Sequence, residues 1–167
     1  WFYSMDGQRD FVDHFHTCFI LKALAKIEQL TGSSQCRAAI ERGVAYYVRN
    51  LADVNGLPVP FSKPPRLTVY RRELYDYAEC INLGVLLRGR FAGLDKVLSN
   101  TVADVLKRWQ KRDGSFRARE LLVGWDNVPM HRWAQSQVFR SLSFLLSQGP
   151  NNLSGSIASR SFQTARV

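Results

Sequence analysis

The sequence predicts an all-α fold, an array of α/α hairpins, and three observations carry that prediction. First, residues 44–57 and 102–115 superimpose without gaps at an offset of 58, with Val44-Ala45 on Val102-Ala103, Val48 on Leu106, Leu51 on Trp109 and Asn55-Gly56 on Asp113-Gly114. Each stretch reads as the end of an amphipathic helix running into a glycine turn. Second, Phe15-His16-Thr17-Cys18, Tyr77-Ala78-Glu79-Cys80 and Trp133-Ala134-Gln135-Ser136 stand at matching points of three helical segments, at offsets of 62 and then 56. Third, short turns join helices within a pair, while long loops join one pair to the next. Repeats of this length bury their apolar faces against neighbouring copies. Two alternating helix types predict an inner and an outer layer, either closed as a toroid or open as a solenoid.

The elements follow in order. Residues 1–10 read as an irregular loop with a turn at Asp6-Gly7. A first helix over about 11–31 carries Phe15, Phe19, Ala23, Ile27 and Leu30 at helical spacing, broadened by Val12, Ile20 and Leu24. Gly32 ends it, and Ser33 or Ser34 caps the second helix, about 35–52, with Ala39, Ile40, Val44, Tyr47 and Leu51 on one face. Pro58, Pro60, Pro64 and Pro65 then stand too close together for any helix, and Arg66 to Tyr70 suits an extended segment. A third helix over about 73–90 is apolar along Cys80, Ile81, Leu83, Val85, Leu86 and Leu87. The fourth, about 94–112, buries Val97, Leu98, Val102, Val105, Leu106 and Trp109. Phe116 to Val123 suits a short strand, and a fifth helix over about 131–147 presents Trp133, Val138, Leu142, Leu145 and Leu146. Residues 1–148 thus form one domain. Residues 149–167, rich in Ser, Asn and Gly without apolar period, read as a flexible tail.

Composition narrows the function classes. A chain of 167 residues with 46% apolar content supports a real core. Its net charge of +9 favours acidic partners, but the cations are scattered through the helices and no nucleic-acid motif is visible. Nucleic acid is therefore not an expected partner. No apolar run reaches the length of a membrane span. Cys18, Cys36 and Cys80 form neither a metal pair nor a disulfide framework, and small buried thiols fit a reducing, cytoplasmic setting. The chain opens Trp1-Phe2-Tyr3 with no initiator Met, as a fragment of a longer protein would.

Several stretches resemble the α/α-toroid superfamily. Trp109-Gln110-Lys111-Arg112-Asp113-Gly114-Ser115-Phe116 looks like the repeat motif of terpenoid cyclases and protein prenyltransferases, in which a Gln near a helix end precedes Gly-x-aromatic and staples successive hairpins. Phe11-Val12-Asp13-His14-Phe15-His16-Thr17 and Met130-His131-Arg132-Trp133-Ala134-Gln135 are more similar to inner-helix openings of bacterial six-hairpin glycosidase-like proteins. That resemblance implies an incomplete ring: two hairpins and a last helix form the C-terminal part of a toroid that needs further hairpins, of the same protein or another copy, to close. It implies an enzyme of bacterial glycan metabolism, a hydrolase, lyase or epimerase, acting on a saccharide in a central cavity and using no cofactor. The acid-rich signatures of terpenoid cyclases and the zinc set of prenyltransferases are absent here. A cyclase-like or prenyltransferase-like enzyme remains one alternative, and a non-catalytic helical-repeat binding module the other.

If the first, third and fifth helices run parallel, their first turns open at one mouth. That gathers Asp13, His14, His16, Arg71, Arg72, Glu73, Asp76, Glu79, Asp126, His131 and Arg132 around one rim. Glu79, Asp76 and His16 are the catalytic candidates. Paired carboxylates act as general acid and base on a glycosidic bond, and a carboxylate or His abstracts a ring proton in a lyase or epimerase. The plainer role for both acids is helix-dipole pairing or a buried bond to a Tyr or Arg. Asp13, Tyr77, Trp125, His131, Arg132 and Gln135 are the substrate-binding candidates. Aromatics stack on sugar rings or merely pack, and Arg132 holds an anionic group or merely pairs with Glu79 or Asp126. His14 and His16 point different ways on a helix and share no metal.

Overall fold

The computed structural model describes residues 1–149 except Tyr3, Met5, Gly7 and Arg66. The expected turn at Asp6-Gly7 lies partly outside the described residues, and the expected tail lies outside them from residue 150 onward. The described residues form five α-helices: α1 (His14–Thr31), α2 (Ser34–Asn50), α3 (Leu74–Leu86), α4 (Ala92–Asp104) and α5 (Ser136–Ser147). A π-helical turn, Val105–Trp109, continues α4, and another, His131–Gln135, leads into α5. Local chemistry explains the ends of α1. Asp13 caps its start, accepting from the His16 amide, and Gly32 closes it at φ 70° with its N–H on the Glu28 carbonyl. Ser33 then caps α2 through the Cys36 amide.

The helices form two layers. α1, α3 and α5 lie side by side, with α3 in the middle, while α2 and α4 touch each other behind α1 and α3. Leu74 and every residue from Asp76 to Val85 are buried, which is why α3 is apolar nearly all round. Two core clusters flank it. One joins Cys18, Leu21, Ile40, Val44, Tyr47, Leu83, Leu94 and Val97. The other joins Tyr77, Ile81, Val105, Trp109, Ala118, Ala134 and Val138.

The repeat holds at the level of single hydrogen bonds. After α2 the chain turns at Gly56 (φ 70°), with Asp53 N–H on the Leu57 carbonyl, Gly56 N–H on Asp53 and Val59 N–H on Leu51. After α4 it turns at Gly114 (φ 83°), with Lys111 N–H on Ser115, Gly114 N–H on Lys111 and Arg117 N–H on Trp109. Both glycines sit where only a residue without Cβ turns cheaply. Each turn then runs back to the start of its hairpin's first helix: His14 N–H donates to the Pro60 carbonyl at 2.9 Å, and Leu74 N–H to Ala118 at 3.0 Å.

That return corrects the all-α expectation: the fold is mixed α/β, with five strands in two small antiparallel sheets among the described residues. β1 (Val12–Asp13) pairs with β2 (Phe61–Lys63), and β3 (Tyr70–Glu73) pairs with β4 (Arg119–Leu121), which pairs with β5 (Trp125–Asp126). The strands are two to four residues long and lack alternating apolar residues, so hydrophobic period does not reveal them. Between β3 and β4 opposite charges pair across the ladder instead. Arg72 faces Glu120 across the ladder at 3.1 Å, and Glu73 faces Arg119 at 2.8 Å. The expected Phe116–Val123 strand contains β4, whereas the expected extension at Arg66–Tyr70 gives way to β3 at its far end.

The inner-helix register also differs from the expected one. Phe15, Tyr75 and Trp133 form the row, with ring centroids 5.4 Å and 5.6 Å apart, so Tyr75 and not Tyr77 stands between the other two. Tyr77 points the other way, into the core against Trp109 at 4.7 Å. The expected apolar stripe of the first helix is outward: Phe19, Ile27 and Leu30 are 40%, 46% and 85% exposed, while Cys18, Leu21 and Ala25 are buried.

Candidate functional site

Two polar groupings occupy the starting end of the inner helices, and their environments differ. The first is sealed. His14 is wholly buried, with Nε2 in hydrogen bond with the Tyr47 hydroxyl at 2.8 Å and Nδ1 3.7 Å from Asp76 Oδ1 and 3.8 Å from Cys18 Sγ. Cys80 Sγ lies 3.4 Å from Thr101 Oγ1 in the same region. Burial pushes His14 down to about 3. It pushes Asp76 well above the usual carboxylate range, helped by the neighbouring carboxylates of Glu73, Asp13 and Glu79. His14 is therefore held neutral. The same burial raises Cys18 well up and Cys80 to about 11, so these thiols are inert.

Glu79 lies on α3 between the two outer inner-layer helices and is 1% exposed. Its Oε2 pairs with Lys22 of α1, and its Oε1 lies 3.4 Å from Arg140 of α5. One carboxylate thus ties the three inner helices together. Gln135, expected beside it, is pinned elsewhere: its Oε1 accepts from Phe116 N–H at 2.9 Å and its Nε2 donates to the Phe116 carbonyl at 2.6 Å. Gln135 thereby fastens the chain just after the Gly114 turn to the last helical segment.

The second grouping is open. Asp13 is buried, and its Oδ2 accepts from His16 Nδ1 at 2.5 Å, while its Oδ1 caps α1. The His16 ring is about a third exposed, its side chain at 38%. Phe15 stacks beside it with centroids 4.1 Å apart, and Phe19 meets it edge-on at 6.0 Å. Two clefts meet at this pair. One, of about 530 Å³, is lined by Arg9, Phe11, Phe15 and Phe61 besides Asp13 and His16. The other, of about 350 Å³, is lined by Trp1, Phe2, Phe19 and Ile20 besides the same two residues. Neither cleft is lined by Asp76, Glu79 or Gln135.

The other candidates scatter. His131 and Arg132 are exposed at the start of the last helical segment, Arg132 lying 5.6 Å over the Trp133 ring. Trp125 is packed between Trp109 and the guanidiniums of Arg108 and Arg117. Arg72 turns to Asp53 and Glu120, and Glu73 to Arg119. Reading the sequence missed Tyr75 and the Lys22–Glu79–Arg140 tie. Tyr75 stands two positions before Tyr77 in the sequence, and Lys22 and Arg140 carry no signal beyond helical spacing. Among the described residues no group of three His, Cys, Asp or Glu side chains is placed to hold a metal, and no helix is long and apolar enough to cross a membrane. Comparison with known proteins gives no matching family model, curated relative or solved structure.

Proposed function

We propose that this chain is part of a bacterial enzyme that acts on a saccharide, with the Asp13–His16 pair transferring the proton and Phe15, Tyr75 and Trp133 receiving the sugar face. The observation that carries the reading is the placement of that pair, open to two clefts, at one end of the aromatic row. A buried carboxylate on Nδ1 fixes the orientation and tautomer of an imidazole ring, the arrangement general acid–base catalysis uses. Aromatic faces stack on the C–H faces of sugars and leave their hydroxyls to polar neighbours. The chemistry belongs to the hydrolase, lyase or epimerase kinds implied by the resemblance to six-hairpin glycosidase-like proteins. Further hairpins, of the same protein or of another copy, would supply the rest of the pocket.

The test uses defined neutral and acidic oligosaccharides with the whole chain, following tryptophan fluorescence for binding and chromatography for products. His16→Ala lowers turnover by about a hundredfold or more while binding persists, and Trp133→Ala weakens binding. If no oligosaccharide changes the fluorescence, or Trp133→Ala leaves the change intact, the reading fails.

A second reading, a non-catalytic binding module, draws support from one specific observation. The carboxylates expected at the mouth are engaged in ion pairs, Glu79 with Lys22 and Arg140, and Glu73 with Arg119. Binding of a saccharide or protein segment without any turnover, unaffected by His16→Ala, is the outcome that selects it.

A further inference from the structure

A further cleft, of about 610 Å³, lies where the inner helices α1, α3 and α5 finish, at the opposite end from the Asp13–His16 pair. It shares no lining residue with the two clefts beside that pair. Val85 and Leu86 at the end of α3 and Phe144 of α5 give it an apolar wall. The described charged residues lining it are one acid and two bases: Glu28 in the last turn of α1, Arg37 in the first turn of α2 and Arg90 in the turn between α3 and α4. The Glu28 side chain is only 9% exposed. It accepts from Arg37 Nε at 2.9 Å and from Arg90 Nη1 and Nη2 at 2.7 Å and 3.3 Å. Arg90 alone therefore makes the two-pronged contact that a carboxylate takes, and the tie between α1 and the α3–α4 turn does not need Arg37. The Arg37 side chain is 58% exposed and donates only through Nε, so that both its Nη groups are without a hydrogen bond among the described residues. Glu41, one turn along α2, acts on Arg37 more weakly than Glu28 does and does not line the cleft. Glu28 thus orients two guanidiniums and neutralises one charge, while the other has no acid in the described lining to balance it.

A planar fork of unused N–H donors beside an apolar wall complements a planar anion carried on an apolar body. The cleft is also of the size that small organic ligands occupy, mostly apolar with a few polar groups. We propose that it binds a small amphiphilic carboxylate, with the two carboxylate oxygens on the Nη groups of Arg37 and the apolar part against Leu86 and Phe144. The side-chain amides of Gln29 and Gln148, which also line the cleft, serve the remaining lone pairs of the anion. A singly charged carboxylate suits the lining better than a doubly charged phosphate does. One positive charge is unbalanced there, and the Glu28 carboxylate repels any second negative charge.

Titration of the whole chain with benzoate, followed through backbone amide chemical shifts, tests the proposal. Benzoate shifts the amides of Gln29, Leu87 and Gln148 and leaves those of Phe15 and His16 in place. Benzyl alcohol, a neutral molecule of similar shape, binds about tenfold more weakly or less, and phenyl phosphate also binds more weakly than benzoate. Arg37→Gln keeps the Arg90–Glu28 contact and the fold but weakens benzoate by on the order of tenfold. No shift up to the solubility limit of benzoate overturns the proposal, as do shifts centred on another part of the chain. Benzyl alcohol binding as tightly as benzoate also overturns it, since the cleft is then only an apolar hollow. So does tighter binding of phenyl phosphate, or an Arg37→Gln variant that holds benzoate unchanged. The comparison of benzoate with benzyl alcohol uses the unsubstituted chain, so it decides the matter even where the substitution disturbs the fold.

Discussion

His14 and His16 stand two residues apart on the first turn of α1, and the fold treats them as opposites. His14 is enclosed with Tyr47, Asp76 and Cys18, and burial holds it neutral down to about pH 3. His16 is set at the surface on the carboxylate of Asp13, beside two clefts. The sealed grouping converts polar chemistry into cohesion, whereas the open one leaves an oriented imidazole within reach of solvent. Residue type alone does not separate a sealed histidine from an open one; the helix face does. Glu79 teaches the same lesson at larger scale, since an acid that looks catalytic by position is the tie between three helices.

That contrast is open to breakage by substitution. Glu79→Gln gives the largest stability loss, about 3 kcal/mol by urea unfolding, because it leaves Lys22 facing an uncharged buried group. A loss below about 1 kcal/mol would show that the tie is dispensable and would return Glu79 to the catalytic candidates. His14→Phe follows at about 2 kcal/mol, since it keeps the volume but strips the buried Tyr47 hydroxyl of its partner. The same variant sharpens the comparison through pH. His14 is lowered from its ordinary 6.5 to about 3, so the stability of keeping it neutral is full above 6.5 and is lost as pH falls toward 3. Asp76, raised by burial, works in the other sense, favouring the fold below its ordinary 3.8 and losing that contribution as pH rises. The gap between the unfolding midpoints of the unsubstituted chain and His14→Phe therefore narrows on acidification between pH 6.5 and 3. A constant gap would mean that His14 is charged in the fold.

The open pair has smaller effects on stability. Asp13→Ala costs about 1 kcal/mol, the ordinary value of a lost helix cap. His16→Ala stays within about 0.5 kcal/mol, because a partly exposed ion pair contributes little. Should His16→Ala destabilise as much as His14→Phe, the distinction between the two histidines collapses.

Much of this architecture was legible. The gapless match of residues 44–57 with 102–115 locates both glycine turns, and the two alternating helix types predict the two helix layers that form. The strand expected over Phe116–Val123 contains β4, whereas β3 gives no signal because Tyr70-Arg71-Arg72-Glu73 pairs with β4 through opposite charges and periodicity scores apolar residues only. The inner register slipped by two because Tyr75 and Tyr77 are both aromatic. The match of Tyr77-Ala78-Glu79-Cys80 to the other helices was attractive but wrong. The plainer role weighed for Glu79, a buried bond to a basic neighbour, is the one the geometry displays. Lys22 was invisible as its partner, because a lysine three turns from a helix start looks like any solvated cation until the neighbouring helix is placed.

The return of each loop to the start of its own hairpin has a bearing on biosynthesis. His14 has no backbone acceptor until Pro60 has been made, and Leu74 must wait for Ala118. A growing chain on the ribosome therefore completes a whole hairpin and its turn before the first helix of that hairpin is anchored, so the rate of closure is set by long-range contacts and not by helix formation. Pauses in translation shortly after residue 60 or residue 118 would fall where the emerging unit has just become able to lock.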